Sequence, residues 1–163
     1  MTQASYAIAI GSNRPGRHGP PYAEVAAAIR ALGDVVAIAA VQPSAPLGPS
    51  LRRYANTAVL VESTLPPPAM LARLKALEAA AGRRRGRRWG ARVLDLDIIL
   101  WSGGAWVTPG LRVPHPLFRT RRFVLEPLCR IAPDWRDPVT GLSVRQLTAR
   151  LTRPRPLPRS ARA

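Results

Sequence analysis

The sequence predicts an α+β fold built on a mainly antiparallel sheet, with helices packed on one face and a C-terminal extension. Three observations predict it. Apolar runs and two segments of helical spacing follow one another in the order β-α-β-β-α-β. A length of 163 residues suits one domain and is short for two. Hydrophobic residues make up 47% of the chain, enough for a core. This order is the ferredoxin-like plan.

The first half of the plan is a helix between two strands. Residues 6–10 form an apolar run that ends at a glycine, which predicts a strand, and 14–21 are a Gly/Pro-rich loop. Residues 22–32 are rich in alanine with apolar residues at helical spacing, and Gly33 is placed to end that helix. Residues 35–41 predict the second strand.

The second half repeats the arrangement. An irregular loop at 43–53 precedes a third strand at 55–62. Prolines lead into a helix at 69–81, since proline is well tolerated in the first helical turn. An arginine-rich loop at 83–92 then precedes the fourth strand, 93–101.

The C-terminal extension begins with a turn at 102–104 and a short strand at 105–108. Residues 117–131 are mostly helical with a proline break, and 143–151 predict a small helix. We therefore expect one domain over residues 1–152. The Pro/Arg-rich tail, 153–163, is expected to be disordered.

Charge is the unusual property of the composition. Lys and Arg total 25 against 9 Asp and Glu, a net charge of +16, which indicates a polyanionic partner such as nucleic acid, an acidic membrane or a phosphorylated small molecule. The single cysteine, Cys129, excludes an internal disulfide and a multi-thiolate zinc site. No apolar stretch approaches a membrane span, and the first residues do not form a secretory signal. We expect a cytoplasmic protein.

The strand at 93–101 carries two acids at alternate positions. Asp95 and Asp97 should share one face with Cα atoms about 7 Å apart. Carboxylates this close repel and raise a pKa, unless arginines or Mg²⁺ offset their charge. The alternative is a solvated pair on an exposed face. The face toward the core should hold Leu94, Leu96, Ile98 and Leu100, and six arginines precede the pair: Arg83, Arg84, Arg85, Arg87, Arg88 and Arg92.

Two arginine-rich segments flank this strand. The loop at 83–92 is interpreted as a mobile lid that brings guanidinium groups onto a polyphosphate, although such loops are often merely solvated or bind RNA. His115 lies between prolines, and three arginines follow it within seven residues, which favours phosphate binding. No phosphate-binding glycine loop is present, so arginines and a metal would have to hold the phosphates.

Six segments, in order over about residues 5–140, resemble those of one enzyme family. The most specific is R-W-G-x-R-x-L-D-L-D-I at 88–98. The supporting segments are A-I-A-I-G-S-N at 7–13, S-A-P-L-G at 44–48, Y-A-N-T-A at 54–58, V-P-H at 113–115 and R-R-F-V-L at 121–125. The chain thus resembles the 6-hydroxymethyl-7,8-dihydropterin pyrophosphokinases of folate biosynthesis.

The resemblance implies transfer of the β,γ-pyrophosphoryl group of ATP to the pterin hydroxymethyl oxygen, with AMP as leaving group. Two Mg²⁺ ions would be held by Asp95 and Asp97, and the catalytic set would add Arg83 and Arg92. The implied ATP-binding residues are Glu78, Arg83, Arg85, Arg92, Ile98, His115 and Arg121. The implied pterin-binding residues are Ser44, Ala45, Leu47, Tyr54, Asn56, Trp89, Asp95 and Phe123, with two aromatic rings sandwiching the pterin.

The chain departs from the family pattern at the nucleotide end. Pro116 stands where the family often has a phosphate-contacting tyrosine, and Gly110 and Arg112 replace familiar residues near the adenine. These changes affect neither the acidic pair nor the aromatic pair, so we expect activity. The expected partners are small-molecule substrates, with no membrane or specific nucleic acid, and the protein is expected to be a monomer.

Two other interpretations compete with the enzyme. An RNA-binding protein on the same scaffold would suit the charge of +16, but its stacking motif is absent and Asp95 and Asp97 would repel phosphate. An inactive homologue is disfavoured because Arg92, His115 and Phe123 accompany the intact acidic pair.

Overall fold

The computed structural model describes residues 2–44, 54–82 and 93–156, and gives only the backbone of Ser44 and Tyr54. A 3₁₀ turn, Phe118–Thr120, precedes the third α-helix. The strands and helices, in chain order, are β1 Ala4–Ser12, α1 Pro21–Leu32, β2 Val35–Ile38, β3 Gln42–Ser44, β4 Tyr54–Ser63, α2 Pro67–Ala80, β5 Asp95–Trp101, β6 Trp106–Thr108, β7 Leu111–Val113, α3 Arg122–Ile131 and α4 Val144–Thr152.

The central sheet has the strand order β2-β4-β1-β5, and every pairing in it is antiparallel. The strand β3 pairs with β4 further along the edge that β2 occupies. Strands β6 and β7 form a separate hairpin. The predicted α+β class and antiparallel sheet are confirmed, and β1 lies at the centre of the sheet next to the acid-bearing strand β5.

The two sides of the sheet are covered by different helices. On one side a first core joins Val25 and Leu32 of α1 to Met70 and Leu74 of α2. On the other side a second core holds residues of α3 and α4, among them Leu125. The expectation that the helices pack on one face of the sheet therefore holds for α1 and α2. It is wrong for α3 and α4, which cover the opposite face.

A β-bulge changes the alternation of side chains in β5. Ile8 pairs with Ile98, whereas Ala7 pairs with Leu100, which leaves Ile99 as an extra residue in the strand. As a result Leu100 and Ile99 both belong to the second core, while Ile98 belongs to the first. The prediction that Leu100 would share a face with Leu94, Leu96 and Ile98 was wrong, since an inserted residue reverses the alternation beyond it.

Local chemistry explains most element boundaries. Helix α1 begins with a proline, carries Glu24 in its first turn and ends at Gly33, whose φ of 63° favours glycine. The predicted strand 35–41 is shorter and separate from β3, which occupies part of the predicted loop 43–53. The break in 117–131 falls at the extended Arg121, and Pro127 lies inside α3. In the described part of the chain, no helix is long and apolar enough to cross a membrane.

Candidate active site

A row of residues across three strands forms the floor of the candidate site. Gly11 of β1 lies opposite Asn56 of β4 on one side and opposite Asp95 of β5 on the other. Residues paired across strands point to the same face, and two strand spacings separate Asn56 from Asp95 by about 10 Å. The strip between the amide and the carboxylate carries no side chain at Gly11, and Gly11 itself is buried.

The neighbouring row places Asp97 on the same face. Ala9 pairs with Ala58 on one side and with Asp97 on the other. Both alanines belong to or pack against the second core, which α3 covers. Asp95, Asp97 and Asn56 therefore lie on the α3 side of the sheet, where both aspartates are partly buried.

The pKa of Asp97 is raised to about 6. Burial is the main cause, the charges of Asp95 and Glu78 raise it further, and those of Arg121 and Lys75 lower it. The predicted repulsion between the two aspartates is thus present, and nearby cations offset it only in part. Two neighbouring carboxylates whose repulsion is only partly offset are also suited to a divalent cation.

Glu78 lies beneath β5 at the edge of the sheet. Its carboxylate accepts a hydrogen bond from the Leu96 N–H at 2.9 Å, and its other oxygen lies 3.8 Å from the Lys75 ammonium. The side chain is almost fully buried. In this position it holds the backbone between the two aspartates. Lys75 was not predicted from the sequence as a site residue. The only signal for it is its helical spacing of three residues from Glu78, which places both on one face of α2.

His115 is fixed by two backbone contacts. Its N–H donates to the Ile99 carbonyl at 3.0 Å, and its Nδ1 accepts from the Leu117 N–H at 3.1 Å. Burial and then the Arg121 charge lower the pKa of the imidazole, against an opposing effect of Asp95. The ring is therefore mainly neutral at pH 7, with its proton on Nε2, where it can be donated to an anion.

Arg121 lies close both to the charged residues of the site and to the aromatic ring of Phe123. It precedes α3, and its guanidinium lies over the Phe123 ring at 5.7 Å from the centroid. Its charge also acts on Asp97 and His115. Phe123 is half-buried against the second core, which leaves part of its ring for a ligand.

The other two arginines that follow His115 have different roles. Arg119 makes a two-bond ion pair with the buried Asp137, and Arg122 pairs with Glu126 one turn along α3. The expectation that all three arginines face phosphate is corrected for these two, because each already has a carboxylate partner. Proximity in sequence could not show these partners.

The remaining predicted residues divide into two groups. Ile98 is buried in the first core, so a contact with ATP would have to come from its backbone, whereas Asn56 is a buried amide on the site face. The structure does not describe the other predicted residues Ala45, Leu47, Arg83, Arg85, Trp89 and Arg92, nor the side chains of Ser44 and Tyr54. Among the described residues, no group of three or more His, Cys, Asp or Glu side chains could hold a metal. The acidic pair is the metal candidate.

Known proteins provide an independent comparison. A family model described as 7,8-dihydro-6-hydroxymethylpterin-pyrophosphokinase (HPPK) matches residues 7–133. A 2-amino-4-hydroxy-6-hydroxymethyldihydropteridine pyrophosphokinase of Pseudomonas aeruginosa is 38% identical over 144 residues, 85% of this chain and 86% of that protein. One of the same name from Synechocystis sp. is 43% identical over 100 residues, 61% of this chain but only 51% of that protein. The chain thus matches about half of the cyanobacterial relative.

A solved structure shows the same fold. The crystal structure of wild-type Plasmodium falciparum HPPK-DHPS with SDX-DHP matches with a TM-score of 0.68 at 11% identity, over 91% of this chain and 44% of that chain. At 11% identity this match supports only the similarity of the fold. Membership of a family is supported instead by the sequence matches to the family model and to the bacterial relatives. The chain therefore belongs to the 7,8-dihydro-6-hydroxymethylpterin-pyrophosphokinase family, whose reaction is pyrophosphoryl transfer to hydroxymethyldihydropterin in folate biosynthesis.

Proposed function

We propose that this chain transfers the β,γ-pyrophosphoryl group of ATP to 6-hydroxymethyl-7,8-dihydropterin. The pterin hydroxymethyl oxygen forms a bond to the β-phosphorus, the bond from that phosphorus to the α,β-bridging oxygen breaks, and AMP leaves. The hydroxyl proton passes to solvent. One observation carries the proposal: the pair Asp95 and Asp97 shares a sheet face with the strip over Gly11, and the charge of Arg121 acts on Asp97.

Asp95 and Asp97 are the residues that would hold Mg²⁺, and we expect two ions. They fit this role because both offer hard oxygen ligands and because their mutual repulsion is only partly offset by cations. Mg²⁺ bound there would neutralise part of the phosphate charge and would lower the free energy needed to form the attacking alkoxide. Glu78 supports the pair by holding the backbone of Leu96 between the two aspartates.

The phosphates of ATP would be oriented by His115 and Arg121. The imidazole donates from Nε2, because Nδ1 already accepts from Leu117, and the guanidinium can donate two parallel bonds. In phosphoryl-type transfer such positioning and charge stabilisation provide most of the catalysis. The family resemblance adds Arg83, Arg85 and Arg92 to the ATP-binding residues, together with Glu78 and Ile98, whose side chains are buried in this structure.

The pterin would lie along the strip over Gly11. Asn56 at one end offers amide donors and acceptors to the edge of the pterin, and Asp95 at the other end is close to the reacting hydroxymethyl group. Phe123 provides a ring for stacking. The family resemblance places the partner ring at Tyr54 and completes the pocket with Ser44, Ala45, Leu47 and Trp89.

The cellular setting follows from these substrates. We propose a cytoplasmic monomer that acts on small molecules and has no specific nucleic-acid partner. The basis is the chemistry of the two small-molecule substrates of the family.

The proposed reaction is tested by its products. The purified chain is incubated with ATP, MgCl₂ and 6-hydroxymethyl-7,8-dihydropterin, and nucleotides are separated by ion-exchange chromatography. We expect AMP and the pterin diphosphate in equal amounts, and only when all three components are present. Formation of ADP, or no turnover, would overturn the proposal.

The role of the acidic pair is tested with Asp97→Ala. Loss of a preorganised electrostatic element should lower kcat by at least about 10²–10³-fold. Asp134→Ala is the matched control, since that aspartate is 88% exposed and pairs with Arg145 away from the site. Near-normal turnover in Asp97→Ala would contradict the metal role.

A further inference from the structure

We propose that Asp137 is a positioning residue for the phosphate-binding side of the site. It lies in the C-terminal extension and acts through Arg119 on the segment from His115 to Arg121. The inference rests on the proposed function, because it concerns how tightly that segment holds ATP.

The carboxylate of Asp137 is fully buried and receives four hydrogen bonds. Arg119 donates from Nε at 2.5 Å and from Nη2 at 2.8 Å. Within the extension, the Thr140 hydroxyl donates at 2.7 Å and the Val139 N–H at 3.0 Å. Both carboxylate oxygens are therefore committed, and the planar fork of the guanidinium fixes the direction from which Arg119 approaches.

The turn that carries Asp137 is itself rigid. The Gly141 N–H donates to the Asp137 carbonyl, and the Asp137 N–H donates to the Leu142 carbonyl, both at 2.8 Å. Ser143 then caps α4, whose Val144 and Leu147 are buried in the second core. Because the turn is anchored to the core through α4, Asp137 is a fixed point against which Arg119 is held.

The segment from His115 to Arg121 is attached to the protein at three points. At its start the His115 N–H is bonded to β5, and in its middle Phe118 is fully buried in the second core. The third attachment is the ion pair between Arg119 and Asp137. Arg119 lies two residues before Arg121 in the sequence. His115 and Arg121, the two groups proposed to bind phosphate, thus flank a turn that Asp137 orients.

A purely structural salt bridge would affect stability alone. Here the pair is adjacent to binding groups, and a displacement of about 1 Å in a positioning element can cost about 10²-fold in rate. Removing the carboxylate should therefore weaken ATP binding more than pterin binding, since Asn56 and Gly11 lie on the paired strands β4 and β1 and Phe123 packs on the second core. A larger loss of ATP binding than of pterin binding therefore distinguishes a positioning role of Asp137 from a purely stabilising one.

The test compares Asp137→Asn with Asp134→Asn. The control breaks an exposed pair in the same extension, in which Asp134 is 88% exposed. Binding of a Mg²⁺ complex of a non-hydrolysable ATP analogue is measured by isothermal titration calorimetry, and KM is measured for both substrates, at a temperature where circular dichroism shows folded protein. We expect Asp137→Asn to weaken nucleotide binding and raise KM for ATP about tenfold, with KM for pterin within about twofold. The control should match wild type.

A second variant keeps the test decisive if Asp137→Asn fails to fold. Arg119→Lys retains a positive charge beside Asp137 but loses the two-bond fork, so we expect a several-fold rise in KM for ATP in a folded protein. A lower Tm with unchanged nucleotide binding in a folded variant would overturn the inference alone. A wild-type protein that binds no nucleotide would overturn the proposed function and the inference with it.

Discussion

At the scale of single residues, Asp97 has the property with the clearest consequence. Its pKa of about 6 results first from burial and then from the charges of Asp95 and Glu78. In the unfolded chain an aspartate has its ordinary value near 4. The folded protein therefore binds a proton more tightly at this position than the unfolded chain does, and stability must depend on pH.

The sign of that dependence is opposite to that of a salt-bridged aspartate. Between about pH 4 and pH 6 the folded state holds more protons, so the free energy of unfolding should decrease as pH rises through this range. We expect Asp97→Asn to remove this contribution and to stabilise the protein at pH 8 by about 1–2 kcal/mol. Urea unfolding at several pH values, in EDTA, measures it. Wild type and Asp97→Asn with parallel pH profiles would contradict the raised pKa.

Phe123 provides a test of the pterin pocket. Its ring is half-buried and has the Arg121 guanidinium on one side. Phe123→Ala should weaken pterin binding by about tenfold, from loss of stacking worth up to about 1.5 kcal/mol, and should change ATP binding much less. Tyr22→Ala, at a 65% exposed aromatic on α1, is the control. Equal losses for both substrates, measured by calorimetry, would count against the sandwich.

At the scale of elements, β5 shows what a local pattern can and cannot predict. The alternation from Leu94 to Ile98 was correct, because side chains on a regular strand alternate between faces. The bulge at Ile99 was not predictable, since the four apolar residues from Ile98 to Trp101 suit either face. Burial on both sides of the sheet removed the polar positions that would have marked a change of register.

The cap of α4 is an element whose contribution can be measured. Ser143 accepts from the Gln146 N–H, and Gln146 accepts in return from the Ser143 N–H, which forms a capping box. Ser143→Ala should lower the free energy of unfolding by about 1 kcal/mol. Thr152→Ala, at the exposed end of the same helix, should cost less. Chemical denaturation measures both, and equal stability of Ser143→Ala and wild type would refute the cap.

At the scale of the whole molecule, the charge of +16 divides into parts with different partners. Arg121 belongs to the site, Arg119 is neutralised by a buried carboxylate, and Arg122 is paired on the surface. Arg153 and Arg155 follow α4 and are exposed. The basic composition is thus only partly explained by a phosphorylated substrate, and the exposed Arg153 and Arg155 are available to anions in general.

The tail is expected to have no part in catalysis. Arg153→Ala combined with Arg155→Ala should leave kcat and both KM values unchanged, because these residues follow the last described helix. The same variant should elute from heparin at lower salt, since exposed cations bind polyanions through counterion release. Arg121→Ala, which alters the site, should lower activity. A loss of turnover in the tail variant would show that the tail contributes to the reaction. The proposed boundary of the domain at residue 152 would then be wrong.

The sequence by itself determined the class of fold and the family, and it predicted the acidic pair and the histidine segment that we propose to bind phosphate. These follow from local alternation, helical spacing and short motifs, which depend on neighbours along the chain. Only the tertiary structure decided that Asn56, Gly11 and Asp95 form one row, that Glu78 holds Leu96, and that Asp137 engages Arg119. Those contacts join residues 18 or more positions apart, and strand register and side-chain burial select such partners only once the chain is folded.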